Sequence, residues 1–152
     1  MKDETPDELF MYAVRVLGAR AYSESVLRQK LARRAKPEVV GAVLQRVKSL
    51  GYLDDQQYAE GYTRLYAGKW GAAKLRRVLL EKGVARSIVD RVLAEQESQS
   101  DPVQEAVGLL DRYKNRHKGE KPRAIRFLVN RGYNLGNALA AWERFIKQAT
   151  AP

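Results

Sequence analysis

The sequence predicts an all-α protein made of three tandem three-helix repeats, about nine helices in all. Three observations carry this. Apolar residues recur with a period of 3.6 rather than 2 along almost the whole chain. A helix-start signal returns at Thr5-Pro6-Asp7-Glu8, at Asp54 with Gln57, and at Asp101-Pro102-Val103-Gln104. Leu31, Leu79 and Leu128 are separated by 48 and 49 residues, and Leu44, Leu93 and Trp142 by 49 and 49. A period of this length with three helices per unit marks a helical repeat, in which each copy buries its face on the next. The copies span residues 5–53, 54–100 and 101–150.

In the first copy, Thr5 caps a helix whose apolar stripe is Phe10, Ala13, Val14 and Leu17, ending near Gly18. Ser23 caps a second helix with Val26, Leu27 and Leu31 inward. Pro37 opens a third, with Val39, Val40, Val43, Leu44 and Val47 inward until Gly51. In the second copy, Asp54 caps a helix carrying Tyr58, Tyr62, Leu65 and Tyr66 on one face, the tyrosines being expected in the core between repeats. Gly68 and Gly71 bracket a turn. Ala72, Leu75 and Leu79 then face inward before Gly83 stops the helix. Ile88, Val89, Val92 and Leu93 form a sixth helix that runs into a polar connection, Glu95–Ser100.

The third copy opens with Val103, Ala106, Val107, Leu110 and Tyr113 on one face. A basic, helix-poor turn from Lys114 to Lys121 leads to a helix with Ala124, Phe127 and Leu128, closed by Gly132. Asn134 caps the last helix, whose inward set is Leu135, Ala138, Leu139, Trp142 and Ile146. Gly83 and Gly132 end equivalent helices, whereas the first copy has Ala35 there and is one residue shorter.

Lys plus Arg number 28 against 18 Asp plus Glu, a net charge of +10. Residues 1–53 carry 10 basic and 6 acidic side chains, 54–100 carry 8 and 7, and 101–152 carry 10 and 5. Basic ends with a nearly neutral middle suit a polyanion or an acidic partner. One cluster holds Arg112, Lys114, Arg116, Lys118, Lys121, Arg123, Arg126 and Arg131 against Glu120 alone. Another holds Arg20, Arg28, Lys30, Arg33, Arg34, Lys36, Arg46 and Lys48 against Glu24 and Glu38. Phosphate contacts from such clusters give salt-sensitive affinity without sequence preference. A solvated helix face is the plainer reading. No helix places Asn or Gln for base reading, so sequence specificity is not expected.

Catalysis is not expected, nor is a metal or cofactor. His117 is the only histidine, lies in a basic loop and is expected at the surface. Asp54-Asp55 is read as a helix cap rather than an acid–base pair. Gly68-Lys69 resembles a phosphate loop only superficially. Thr63 stands where the first glycine is needed and Trp70 where the magnesium-binding hydroxyl belongs. Trp70 reads either as an exposed anchor or base-stacking platform, or as buried between copies one and two, which is favoured. Tyr52 and Tyr133 pose the same question. The absence of cysteine fits a reducing compartment, no apolar run is long enough to span a membrane, and the acidic start Met1-Lys2-Asp3-Glu4 does not look like a signal peptide. A cytoplasmic protein is expected, and a monomer, since polar terminal faces cap repeat arrays.

Leu17-Gly18-Ala19-Arg20-Ala21-Tyr22-Ser23 with Leu27 and Lys30-Leu31, then Gly51-Tyr52-Leu53-Asp54-Asp55 with Tyr58-Ala59, Arg64, Gly71, Leu75, Leu79 and Lys82-Gly83, resemble the RecX family. Its members are small bacterial regulators of the RecA recombinase. The match covers about residues 9–95 well and the third copy more loosely. It departs at Arg34-Ala35-Lys36-Pro37, where the family has a Lys-Gly helix end. The resemblance implies an elongated, curved array that binds in the groove of the RecA–DNA filament, inhibits strand exchange and ATP turnover, and damps the DNA-damage response. Weak, sequence-independent contact with single- and double-stranded DNA is expected alongside. Candidate contacts are Arg28, Lys30, Arg33 and Arg34 in the first copy, and Arg64, Lys69, Trp70, Lys74, Arg76 and Arg77 in the second. In the third they are Arg112, Lys114, Arg116, Lys118, Lys121, Arg123, Arg126 and Arg131. A general nucleic-acid-binding helical protein is the alternative function.

Overall fold

A computed structural model of the chain describes residues 3–150, among which lie ten α-helices and no strand. The first copy supplies α1 (Pro6–Ala19), α2 (Glu24–Ala32) and α3 (Pro37–Ser49). The second supplies α4 (Asp55–Tyr66), α5 (Ala72–Glu81) and α6 (Arg86–Gln99). The third supplies α7 (Pro102–Arg112), α8 (Lys114–His117), α9 (Lys121–Asn130) and α10 (Leu135–Thr150). By contacts the chain forms two compact units. One takes the chain up to Gly61 with Leu79–Val89, the other Tyr62–Val78 with the chain from Asp90.

In the first unit, Leu9 and Ala13 of α1, Leu27 and Leu31 of α2, and Val40, Val43, Leu44 and Val47 of α3 form one buried cluster. Fully burying a leucine or valine contributes about 1.5–3 kcal/mol, and this cluster is what holds the three short helices together. Local chemistry sets their ends. Thr5 and Glu8 form a reciprocal capping box on α1, and Ser23 Oγ accepts the Val26 N–H at 3.3 Å on α2. In the second unit Ala106, Val107, Leu109 and Leu110 of α7 meet Ala124 and Leu128 of α9 and Ala138, Ala141, Trp142 and Phe145 of α10. Asp101 caps α7 by accepting the Gln104 N–H at 3.1 Å, and Asn134 caps α10 by accepting the Asn137 N–H at 2.7 Å.

One carbonyl position is used three times, at Arg34, Lys82 and Arg131. Ser23 Oγ donates to the Lys82 carbonyl at 2.6 Å, and the Gly71 N–H donates to the Arg131 carbonyl at 2.7 Å. Ser23 and Gly71 occupy equivalent places, each just ahead of the second helix of its copy. In the first copy the Glu4 N–H donates to the Arg34 carbonyl at 2.9 Å, taking that donor's place. The next residue explains the glycines. Gly83 has φ +83 and a Cβ there would overlap Ser25 Cβ; Gly132 has φ +99 and a Cβ would lie 2.6 Å from Lys74 N. Ala35 is buried too, but its φ is not positive.

A second tie in the first unit joins α2 to α4: the Glu24 N–H donates to Asp55 Oδ1 at 2.8 Å. Burial raises the Asp55 carboxyl above its ordinary range, against the lowering effect of that hydrogen bond. A raised carboxyl binds its proton more tightly folded than unfolded. Its contribution therefore favours the fold at low pH and is lost as pH rises through its folded range. Asp55→Asn keeps the acceptor and removes the charge, so stability at neutral pH should hold or rise. Asp55→Ala should lose about 1 kcal/mol, the usual cost of a lost cap. Urea midpoints check this, and equal losses in both variants would show that the charge itself holds the junction.

The structure corrects several expectations. His117 is not at the surface: it is 1% exposed, its Nδ1 accepts the Gly119 N–H at 3.0 Å, and its Nε2 lies 2.8 Å from the Leu110 carbonyl. The expected turn holds a short tenth helix, α8, which ends at Lys118 (φ 54) and Gly119 (φ 71) and presses the imidazole edge-on against Trp142 and Phe145. His117→Ala should cost about 2–4 kcal/mol, combining a buried cavity with two orphaned backbone groups. An unchanged denaturation midpoint would show that the ring is dispensable.

On α10, Leu135, Leu139 and Ile146 are exposed, whereas Ala141 and Phe145 are buried. Trp142 fixes the rotation of that helix, and the apolar stripe is wide enough to read either way. On α4, Leu65 is 62% exposed and Tyr58, Tyr62 and Tyr66 are not enclosed; the enclosed positions are Ala59 and Thr63. α6 continues through Glu95 to Gln99, since polar residues without Gly or Pro do not stop a helix. Tyr52 is exposed and Tyr133 is buried.

Candidate nucleic-acid interface

Arg116, Arg123 and Arg126, with Phe127 and Asn130, line an open cleft of about 300 Å³. The left-handed reversal at Lys118–Gly119 turns α8 back towards α9, which brings Arg116 to the other two. Arg123, Arg126, Phe127 and Asn130 stand at i, i+3, i+4 and i+7 on one face of α9. Buried His117 anchors the short helix bearing Arg116. An exposed ion pair stands at the cleft, Arg123 Nε to Glu120 at 2.8 Å. Such a pair contributes little and yields readily to a stronger anion. Three planar guanidinium forks converging on one opening suit phosphate or carboxylate oxygens. Arg112, Lys114, Lys118 and Lys121 are also exposed, with Lys114 paired to Asp111 at 3.1 Å.

Arg131 has a different task. Its guanidinium lies 4.9 Å from both the Tyr113 and Phe127 ring centroids, and Nη1 donates to the Lys69 carbonyl at 3.4 Å. It braces the turn on which Gly71 docks. In the second copy, Trp70 is half-buried rather than enclosed. Tyr66 stacks on it at 3.9 Å and 8°, and Lys74 Nζ stands 4.2 Å from the ring centroid. With tyrosine and ammonium both held against the ring, a base has no free face on which to stack. Burial, then the charges of Arg131 and Arg77, lowers the Lys74 pKa. Arg76 is paired with Asp90, and Arg64, Lys69 and Arg77 lie towards the surface.

In the first copy, Arg28 and Arg33 are exposed and Lys30 lies 5.7 Å from the Tyr22 ring. Arg34 is paired with Glu4 and stands 3.8 Å over Tyr12, so it secures the chain's start to α1 and α2. The sequence therefore named the basic residues without separating those that brace the fold from those that face outward. Phe127 and Asn130 were missed as cleft residues, although their spacing from Arg123 was readable. No group of three potential metal ligands occurs among the described residues, and no described helix is long and apolar enough to cross a membrane.

Fold and site together define a class: an all-helical protein of tandem three-helix repeats with guanidinium groups clustered at its surface. Residues 54–93 match the second three-helix domain of RecX. The chain is 44% identical over 135 residues to a regulatory protein RecX of Thermus thermophilus, covering 89% of this chain and 90% of that one. It is 30% identical to the regulatory protein RecX of Chlorobium phaeobacteroides, covering 88% and 91%. A crystal structure of RecX from Lactobacillus salivarius superposes with TM-score 0.78 at 16% identity, covering 93% of this chain and 96% of that one. The chain belongs to the RecX family of regulatory proteins.

Proposed function

We propose that this protein is a non-enzymatic regulator that binds the RecA–DNA filament, inhibits its ATP turnover and strand exchange, and so tempers recombinational repair and the SOS response in the cytoplasm. The observation that carries the reading is the convergence of Arg116, Arg123 and Arg126 on one open cleft, in a chain of the RecX family with net charge +10. DNA held in such a filament carries phosphate oxygens, to which guanidinium groups are matched. The repeats at residues 5–53 and 54–100 supply further outward charge at Arg28, Arg33 and Arg64.

The test is a titration of the protein, as a monomer, into RecA assembled on single-stranded DNA while ATP hydrolysis is followed. Turnover should fall saturably. The charge cluster also favours a simpler reading, a general binder of nucleic acid. That protein would hold DNA alone as tightly as the filament, with affinity dropping steeply as salt rises. Undiminished ATP hydrolysis at saturating protein would remove the filament reading and leave the simpler one.

A further inference from the structure

A cavity of about 160 Å³ lies in the second unit, away from the arginine cleft. Its apolar walls come from Trp70, Leu75, Leu93 and Pro102. Its polar side holds Glu97 and Glu105, and Tyr133 closes it. Tyr133 is 3% exposed, and its hydroxyl is buried without a hydrogen-bond partner. Leaving a buried polar atom unpaired is costly, and an unpaired one beside a cavity marks a place where a partner belongs. Glu105 is half-buried, and burial raises its carboxyl above the ordinary range, with Asp101 adding to the effect. Burial raises the Tyr133 phenol as well, and the Glu105 charge raises it further, so the two groups sense each other.

Two carboxylates in one opening are unexpected on a chain of net charge +10. The nearby cations are engaged elsewhere, Lys74 over Trp70 and Arg131 between Tyr113 and Phe127. An anion would meet Glu97 and Glu105; an uncharged apolar group would leave Tyr133 and the carboxylates unanswered. What fits is a cation on a short apolar stem, which lays methylenes along the leucines and proline and donates to the carboxylates. We propose that this cavity binds an alkylguanidinium or alkylammonium group, either a free small amine or an arginine or lysine side chain of another protein. The proposal does not depend on the filament reading, since it is tested without RecA.

The test follows the Trp70 indole and Tyr133 amide signals of the full chain by NMR as n-butylguanidinium is added, with n-butanol as the neutral control. Saturable shifts with the guanidinium and none with butanol are expected. Glu105→Gln should weaken binding about tenfold, the worth of one charge-assisted hydrogen bond. Tyr133→Phe should bind more weakly while denaturing at the same or higher temperature, because it removes an unpaired hydroxyl. A second arm uses a short arginine peptide and its norleucine counterpart. Peptide affinity at least about tenfold above that of the free guanidinium assigns the site to a protein side chain; equal affinity assigns it to a free amine. Unsaturable shifts would show that the cavity holds only water, and an equal response to butanol or undiminished binding by Glu105→Gln would overturn the proposal of a carboxylate-held cation.

Discussion

A variant carrying Arg116→Glu, Arg123→Glu and Arg126→Glu should bind the RecA–DNA filament at least about a hundredfold more weakly, with a matching loss of inhibition. Each phosphate contact contributes close to one unit of salt dependence. Losing three should make the logarithmic dependence of affinity on salt shallower by about 3, and like-charge repulsion then adds to the loss. The fold should survive: all three side chains lie at the surface, and the pair that breaks is the exposed one between Arg123 and Glu120. Circular dichroism and the thermal midpoint serve as controls. Arg131 is left out because its guanidinium braces Tyr113, Phe127 and the Lys69 carbonyl. Reversing it would mix a folding defect with a binding one. Full inhibition by the triple variant would place the interface elsewhere, with Arg28, Arg33 and Arg64 the next residues to reverse.

The second large effect concerns stability. Gly132→Ala should cost about 3 kcal/mol or more, from a positive φ that disfavours a side chain and from overpacking. The new Cβ would lie 2.5 Å from Lys74 Cβ, 2.6 Å from Lys74 N and 2.9 Å from the Gly71 carbonyl oxygen. Backbone atoms cannot swing aside, so the docked helix start must shift. For a chain of this size that is a fall of about 6–12 °C in thermal midpoint. Gly119→Ala is the matched control, since its φ is +71 but nothing lies within 4 Å of the added Cβ. It should lose only about 1–2 kcal/mol, the conformational part. Similar losses in the two variants would mean that close approach contributes nothing at Gly132.

The parts of the fold written in local chemistry were legible in the sequence. Thr5, Ser23, Asp54, Asp101 and Asn134 each cap the helix they precede, because a cap bond reaches only two or three residues along the chain. The regular spacing of Leu31, Leu79 and Leu128 is matched by their complete burial. What failed depended on neighbours distant in sequence. Leu139 and Ile146 share a stripe with Trp142, but which edge of the stripe turns inward is decided by α7 and α9. His117 looked like one more member of a basic loop, and only a left-handed residue at Lys118 folds it under Trp142. The arginine cleft was half visible, as Arg123 and Arg126 on one helix face. Its third member arrives through that same reversal, which no periodicity encodes.

The Arg34 carbonyl takes its donor from Glu4, just ahead of its own copy, whereas the Lys82 and Arg131 carbonyls take theirs from the copy before. If a gene rearrangement set a second version of residues 5–53 behind another helical unit, Ala35 would bring a methyl group to a place where the later copies have a bare residue of positive φ. Duplication of the second or third copy would carry that glycine along, whereas duplication of the first would carry an alanine into its place.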